Sequence, residues 1–194
     1  MTKILGIAGS LRKGSFHHAL LRAAQERVGD GYDILEGTIS GIPLYDADDE
    51  AANGLPDAVV TLKNQITSAN GLLLVTPEYN HAIPGVFKNA IDWASRTYIE
   101  DESQHPLFGK PCALMGAGGG MGTGRSQYHL RQVLVFLNCI PLNKPEVFVQ
   151  RWNPPDSFDS QGDLKDEKTV GKIDDMLSAL AKWTRMIQAG KDIL

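Results

Sequence analysis

The chain has 194 residues, of which 42% are apolar and 22% are charged, so it is long enough for one globular domain with a sizeable core. Its 23 acidic and 19 basic residues give a net charge of -4, which argues against nucleic acid as a partner because such domains usually carry a basic excess. The apolar runs are too short for a membrane span or a signal peptide. We therefore expect a single cytoplasmic domain over residues 1–194, without a membrane partner.

The first apolar run, Ile4–Ala8, predicts a strand that ends in the loop Gly9-Ser-Leu-Arg-Lys-Gly-Ser-Phe16. Apolar residues at Phe16, Leu20, Ala24 and Val28 then predict a helix. Backbone N–H groups and the dipole at a helix N-terminus favour an anion, so this loop predicts a phosphate ligand. The alternative is a plain turn in which Ser15 caps the helix.

The same loop comes close to the phosphate-binding sequence of nucleotide hydrolases. Gly9 and Gly14 enclose four residues, but Ser15 and Phe16 stand where that sequence has a lysine and a hydroxyl residue. We therefore expect the loop to hold a terminal phosphate without nucleotide hydrolysis. Ser10, Ser15 and the backbone would donate hydrogen bonds, and Arg12 would add a charge-assisted pair.

The middle of the chain predicts two more strands around a long loop. Tyr32–Leu35 is the weaker strand and Gly71–Thr76 is the more apolar one. The segment Gly41–Leu55 is predicted to be a surface loop, and its acidic run Asp46–Glu50 to be a solvated face rather than a metal site. Pro56 suits the first turn of the helix that follows.

A second unusual loop, Thr76-Pro-Glu-Tyr-Asn-His-Ala-Ile-Pro-Gly85, follows the third strand and leads into a helix opened by Pro84. Pro77 restricts the backbone of the turn, Tyr79 offers an aromatic face and Asn80 offers an amide. This mixture suits a flat heteroaromatic ring with polar edges. The alternative is a helix entry that merely exposes polar groups.

A third loop, Gly116-Ala-Gly-Gly-Gly-Met-Gly-Thr-Gly-Arg125, follows the predicted strand Cys112–Gly116. No register of it gives the dinucleotide fingerprint. We expect close backbone approach to a planar ligand, with room for a second ligand above it; the alternative is a flexible loop. The two cysteines, Cys112 and Cys139, lie in apolar runs without metal or redox spacing, which predicts buried free thiols.

The remaining elements are a helix along Leu130–Leu137, a ragged strand at Glu146–Val149, a polar and mobile segment at Arg151–Glu167, and a last helix from Ile173 to Ile187. Five strand–helix alternations predict a flavodoxin-like α/β sandwich: a doubly wound, five-stranded parallel sheet of order 2-1-3-4-5 with helices on both faces. In such sheets ligands bind at the carboxyl ends of the strands, so the loops after strands 1, 3 and 4 are expected to hold the chemistry.

Three stretches make a resemblance specific: the loop from Gly9 to Phe16, Pro77-Glu-Tyr-Asn80 followed by Pro84-Gly-Val-Phe-Lys-Asn-Ala-Ile-Asp-Trp93, and Gln127-Tyr-His-Leu-Arg131. Over residues 3–150 the chain resembles the NAD(P)H-dependent FMN reductase family, on its bacterial quinone and chromate reductase branch. The resemblance implies an FMN phosphate site formed by Ser10, Arg12, Lys13, Gly14, Ser15, Phe16 and His17. It also implies that Pro77, Glu78, Tyr79 and Asn80 flank the isoalloxazine ring and that the loop around Ala117 closes over it.

The resemblance further implies two-step hydride transfer from NADPH or NADH through bound FMN to a quinone, with chromate, azo or nitro compounds as additional acceptors. No catalytic side chain is assigned, because the flavin carries the hydride. His17 replaces an asparagine usual in the family, and its ring is expected to donate to the phosphate with an affinity that depends on pH. A homodimer or homotetramer is implied, with Arg125, Tyr128, Arg131 and Glu146 as interface groups; the alternative for these four is intrachain pairing.

Two other functions stay open at this point. One is a flavin reductase that supplies reduced FMN to a partner oxygenase, and the other is a non-enzymatic flavodoxin-like electron carrier. A phospho-receiver is disfavoured, because it needs an aspartate at the end of strand 3, where this chain has Thr76-Pro-Glu78.

Overall fold

The computed structural model describes residues 1–97, 105–151 and 156–190. Its strands and helices alternate along most of the chain. In order they are β1 (Thr2–Ala8), α1 (Phe16–Gln25), β2 (Tyr32–Gly37), α2 (Ala47–Asn53), α3 (Asp57–Ser68), β3 (Gly71–Val75), α4 (Gly85–Ala94), β4 (Pro111–Gly118), α5 (Gly124–Phe136), β5 (Ile140–Pro141), β6 (Val147–Gln150) and α6 (Glu167–Gly190).

The strands form one parallel sheet of order β2-β1-β3-β4-β5, which confirms the predicted fold and strand order. The fifth position differs from the prediction, because β5 and β6 both pair with β4, β5 at its start and β6 at its end. The pairing continues to Leu142, whose N–H donates to the carbonyl of Cys112 at 2.7 Å. Pro145 lies between the two strands and cannot donate a ladder hydrogen bond, which suits the interruption.

Helices cover both faces of the sheet. On one face α1 and α6 pack against Ile4, Leu73 and Met115. On the other face α3, α4 and α5 pack against Leu5 and Leu72. Each residue of β3 is buried, as expected for the central strand of a doubly wound sheet.

The predicted loop Gly41–Leu55 is wrong in part, because it contains α2. Asp46 caps this helix: its carboxylate accepts a hydrogen bond of 2.9 Å from the N–H of Asp48. The acidic run therefore lies in the first turn of a helix, where negative charge complements the helix dipole. At its end, Glu50 is buried and ion-paired with Arg96 at 2.8 Å.

Other boundaries shift in smaller ways. Helix α1 ends at Gln25, so Val28 lies beyond it and is exposed. The polar segment Arg151–Glu167, expected to be mobile, contains the buried Phe158, whose ring centroid lies 4.5 Å from that of Phe16. Residues 152–155 of that segment lie outside the described residues.

Both cysteines are buried free thiols, as predicted. A hydrogen bond with the neighbouring Cys139 thiol, together with burial, raises the pKa of Cys112 well above its usual value, so the thiol stays protonated. Across the described ranges, no helix combines the length and apolar character needed to cross a membrane.

Candidate functional site

The three unusual loops meet at the carboxyl edge of the sheet. They follow β1, β3 and β4, which are neighbours in the strand order. Together they enclose a cavity of about 280 Å³, called here the loop cavity. It is lined by Arg12, Ser15, Phe16, His17, Pro77, Glu78, Tyr79, Ala117, Gly118, Gly119 and Arg151. Eight of the twelve site residues predicted from the sequence are among these eleven.

The first loop contains the cap of α1 and also borders the loop cavity. Ser15 does cap α1, since its Oγ accepts a hydrogen bond of 3.2 Å from the N–H of His17. The same helix N-terminus faces the loop cavity, and Arg12 lies exposed beside it. Partial positive charge at the helix start and a guanidinium on one wall form an environment suited to an anion.

His17 links the first loop to the third. The N–H of Ala117 donates to its Nε2 at 3.4 Å, so the tautomer that satisfies both contacts carries its proton on Nδ1 and donates to Ser15 Oγ at 3.1 Å. Burial lowers the pKa of His17 to about 4, and the ring is neutral at pH 7. Both ring nitrogens therefore bond within the protein. Neither is free to donate to a phosphate, contrary to the expectation from the sequence.

The close approach of the first loop to α4 depends on Gly9. A Cβ built at this position would lie 2.4 Å from Cδ1 of Phe87, a buried residue of α4. The N–H of Gly9 also continues the sheet ladder with a hydrogen bond of 2.9 Å to the carbonyl of Val75. The missing side chain thus lets the first loop begin directly against α4, the helix that follows the second loop.

The second loop contains a tight two-residue turn. Tyr79 and Ala82 exchange backbone hydrogen bonds of 3.1 and 3.0 Å around Asn80 and His81. Both central residues have positive φ, 51° and 64°, which is the arrangement of a type I′ turn. Asn80 tolerates this region better than most residues. The turn leaves the ring of Tyr79 56% exposed at the mouth of the cavity.

Glu78 connects the second loop to α5. Its Oε2 accepts hydrogen bonds from the N–H groups of Arg125 and Ser126 at 3.0 and 3.2 Å, and Oε1 pairs with the Arg125 guanidinium at 3.1 Å. The N-cap residue Thr123 makes no side-chain cap hydrogen bond, so a carboxylate 47 residues away in the sequence caps this helix instead. This role was not anticipated from the sequence.

The third loop is more ordered than a run of glycines suggests. Strand β4 extends to Gly118, two residues beyond the predicted end. Gln150 Nε2 donates to the carbonyl of Gly120 at 2.5 Å, and the N–H of Arg151 donates to the carbonyl of Gly118 at 2.8 Å. The glycine backbone that lines the cavity is therefore held by the end of β6.

Sequence reasoning missed Arg151. Its guanidinium lies over the Phe16 ring, 4.4 Å from the centroid, and Arg12 lies 5.8 Å from the same centroid. The position could have been found by the carboxyl-edge rule, because Arg151 directly follows β6.

Four predicted residues do not line the loop cavity. Ser10 and Lys13 line a neighbouring cavity, whereas Gly14 and Asn80 belong to the same loops without facing this space. The residues expected at a subunit interface bond within the chain: Arg125 pairs with Glu78, Tyr128 Oη lies 2.7 Å from Oε1 of Glu146, and Arg131 Nη2 lies 3.0 Å from the carbonyl of Leu142.

Comparison with known proteins identifies the family of the chain. The model of the NADPH-dependent FMN reductase family matches residues 2–154. The chain belongs to that family. It is 49% identical over 187 residues to an NAD(P)H-dependent FMN reductase of Pseudomonas aeruginosa, covering 96% of this chain and 97% of the relative.

Two further similar proteins are also NAD(P)H-dependent oxidoreductases by name. An NAD(P)H:quinone oxidoreductase of Solanum tuberosum is 43% identical over 181 residues, covering 92% of this chain and 90% of its own. The solved structure of FerB, an NAD(P)H:(acceptor) oxidoreductase of Paracoccus denitrificans, superposes with a TM-score of 0.82 at 31% identity, covering 96% of this chain and 98% of FerB.

Proposed function

We propose that the chain is an FMN-dependent oxidoreductase that takes hydride from NADPH or NADH and reduces quinones in two successive half-reactions. Chromate, azo and nitro compounds are further acceptors within this proposal. The protein acts as one domain over residues 1–194, in the cytoplasm, as a homodimer or homotetramer. Family membership and the names of the relatives support the activity.

One observation supports the proposal most: a phosphate-type loop, an aromatic turn and a glycine backbone line a single cavity. Each matches one part of a flavin mononucleotide. The α1 N-terminus with Arg12 and Arg151 suits the phosphate dianion. The ring of Tyr79 and the side-chain-free walls at Gly118 and Gly119 suit a flat ring approached closely by backbone.

The residues present therefore fit FMN, which when bound accepts hydride from a nicotinamide and passes it to an acceptor. The chain's own contribution is binding and orientation. Arg12 and Arg151 offset the phosphate charge, and Glu78 fixes the second loop to α5. Solvent can supply the protons that a reduced quinone needs, so no side chain is assigned a proton transfer.

The absorption spectrum tests this proposal. The protein is purified, incubated with FMN, freed of excess flavin and made anaerobic; NADPH or NADH is added, followed by a benzoquinone. We expect a flavin spectrum that bleaches with the nucleotide and recovers with the quinone. A protein that stays colourless after incubation with FMN would contradict the cofactor assignment and the enzyme function with it.

The same experiment separates the alternatives. Gel filtration after turnover shows whether the flavin stays with the protein. Release of reduced FMN during turnover would favour a reductase that supplies a partner oxygenase. Failure of both nucleotides to bleach a bound flavin would favour an electron carrier.

Two arginine variants test the position of the phosphate site. Arg12→Ala removes a charge-assisted contact to the phosphate, and we expect the Kd for FMN to rise roughly tenfold or more. Arg185→Ala is the matched control, because Arg185 approaches Gly31 near the opposite edge of the sheet. Fluorescence titration of FMN measures both; equal affinities would remove Arg12 from the phosphate site.

A further inference from the structure

The first loop, residues 9–16, is called here the phosphate loop. A second cavity, the β1–β2 cavity, lies on the side of this loop opposite the loop cavity. Its volume is about 380 Å³, and its polar lining comes from the loop after β1, from α1 and from the end of β2. The phosphate loop separates the two cavities: Arg12 lines the loop cavity, whereas Leu11 and Lys13 line the β1–β2 cavity. Both therefore open at the carboxyl edge of the sheet, where α/β proteins bind ligands.

The charged lining of the β1–β2 cavity offers an anion one ammonium group, that of Lys13. Lys13 and Arg22 contribute positive charge, and Glu36 contributes one negative charge. The Lys13 ammonium has neither an ion pair nor a hydrogen bond within the described residues. Arg22 is held from behind by Asp163 at 2.5 Å, with both side chains half exposed.

The uncharged lining suits a sugar. The Oγ1 of Thr38 accepts a hydrogen bond of 3.1 Å from the N–H of Ser40, which leaves the Thr38 hydroxyl hydrogen free to donate. Glu36, at the end of β2, lies 3.5 Å from Nδ1 of His18, whose Nε2 is bonded to the carbonyl of Ser10 at 2.9 Å. In dinucleotide-binding parallel sheets, an acidic residue about 20 residues after the first glycine turn accepts a hydrogen bond from the ribose 2′-hydroxyl, and Glu36 lies at a comparable spacing from the loop after β1.

An ammonium, hydroxyls and a carboxylate line one cavity, and this combination suits a phosphorylated ribose. We propose that the β1–β2 cavity binds the adenosine ribose-phosphate half of the dinucleotide donor, an inference that rests on the proposed function for the identity of that donor. Lys13 contacts a phosphate and Glu36 contacts the ribose. The phosphate loop then has a ligand on each side, the flavin phosphate against Arg12 and the nucleotide against Lys13.

Binding of ADP-ribose, which is the dinucleotide without its nicotinamide, tests the site without requiring turnover. FMN-loaded protein is titrated by calorimetry. We expect saturable binding that Lys13→Ala weakens about tenfold, because a charged hydrogen bond is lost. Lys182→Ala, which removes an exposed lysine of α6, should bind as wild type does. Absent binding to wild type, or equal binding by Lys13→Ala and Lys182→Ala, would overturn the proposal.

Glu36→Gln gives an independent measurement. The titration is repeated with 2′-phospho-ADP-ribose, which carries more negative charge beside the ribose. Removal of the carboxylate charge should raise the affinity for this ligand relative to ADP-ribose, because the repulsion is lost. An unchanged ratio of the two affinities would place Glu36 away from the ribose and reject the site.

Flavin reduction by NADPH or NADH, followed in the same wild-type preparation, keeps the two proposals apart. Reduction without Lys13-sensitive ADP-ribose binding would reject only the β1–β2 cavity. Lys13-sensitive binding without flavin reduction would reject the proposed function and retain the nucleotide site.

Discussion

A buried imidazole joins the first and third loops. His17 is 7% exposed, and its ring spans from Ser15 to the backbone of Ala117. The sequence places His17 at the end of a predicted phosphate loop. It could not predict the burial of the His17 ring, because this burial depends on the packing of β4 against α1. The predicted change of phosphate affinity with the charge of this ring requires an exposed imidazole, whereas the His17 ring is buried.

The burial of His17 makes stability depend on pH. Its pKa falls from 6.5 in the unfolded chain to about 4 in the folded protein. The stabilisation is fully present above pH 6.5 and is lost as the pH falls towards 4, because the unfolded chain takes up a proton that the folded chain excludes. A shift of this size corresponds to roughly 3 kcal/mol.

His17→Asn tests this linkage. Its free energy of unfolding should change less between pH 7 and pH 4.5 than that of the wild type, measured by urea denaturation at both pH values. His129→Asn, an exposed substitution on α5, is the control. A variant with the same pH dependence as the wild type would show that another group titrates.

At the scale of elements, two features of the site depend on contacts between segments distant in sequence. Glu78 caps α5 from the second loop, and Gly116 allows β4 to pass close to both Thr76 and Thr123. The periodicity of apolar residues placed both segments at the carboxyl edge. It could not pair a particular carboxylate with a particular helix end, because that contact is fixed only when the strands align.

Glu78→Ala should destabilise the protein by about 1–2 kcal/mol, because the first turn of α5 loses its cap and the ion pair with Arg125 is lost. Arg125→Ala removes the ion pair and leaves the cap in place, so it should cost less. Chemical denaturation of both variants gives the comparison. Equal losses would mean that the cap adds nothing to the ion pair.

The glycines of the third loop are expected to differ in their tolerance of substitution. A Cβ at Gly116 would lie 2.2 Å from both the carbonyl oxygen of Thr76 and Oγ1 of Thr123, whereas a Cβ at Gly120 meets nothing within 4 Å. Gly116→Ala should therefore cost about 1–3 kcal/mol of stability and weaken FMN binding. Gly120→Ala should change neither by much. Thermal unfolding and FMN titration of the pair check this, and similar behaviour would contradict the packing at Gly116.

At the scale of the whole molecule, the alternation of strands and helices was sufficient to predict the sheet order and the edge that holds the site. Phe158 was missed for a different reason from Arg151. The segment that follows β6 is polar in composition, and no local pattern shows that one of its aromatic residues packs against Phe16. Long-range packing of single residues in irregular segments leaves no periodic signal in a sequence.

The last helix, α6, also depends on packing between segments that are distant in sequence. The family model ends at residue 154, yet α6 begins at Glu167 and supplies Ile173, Met176 and Leu177 to the core that also contains α1. Ion pairs join this C-terminal part to α1 through Arg22–Asp163 and to the turn after α1 through Arg27–Asp174. Residues outside the family match therefore pack behind α1, the helix that follows the first loop.

Leu177→Ala tests this support. Leu177 is fully buried, so its truncation should lower the free energy of unfolding by about 2–5 kcal/mol, and FMN protection against thermal unfolding should persist because the loop cavity is untouched. Met186→Ala on the same helix, where the side chain is 58% exposed, should change stability by less than about 0.5 kcal/mol. Thermal and urea unfolding measure both variants with and without FMN. If the two substitutions lower the free energy of unfolding equally, α6 is not part of the cooperative core. Other residues must then pack against α1 and stabilise it.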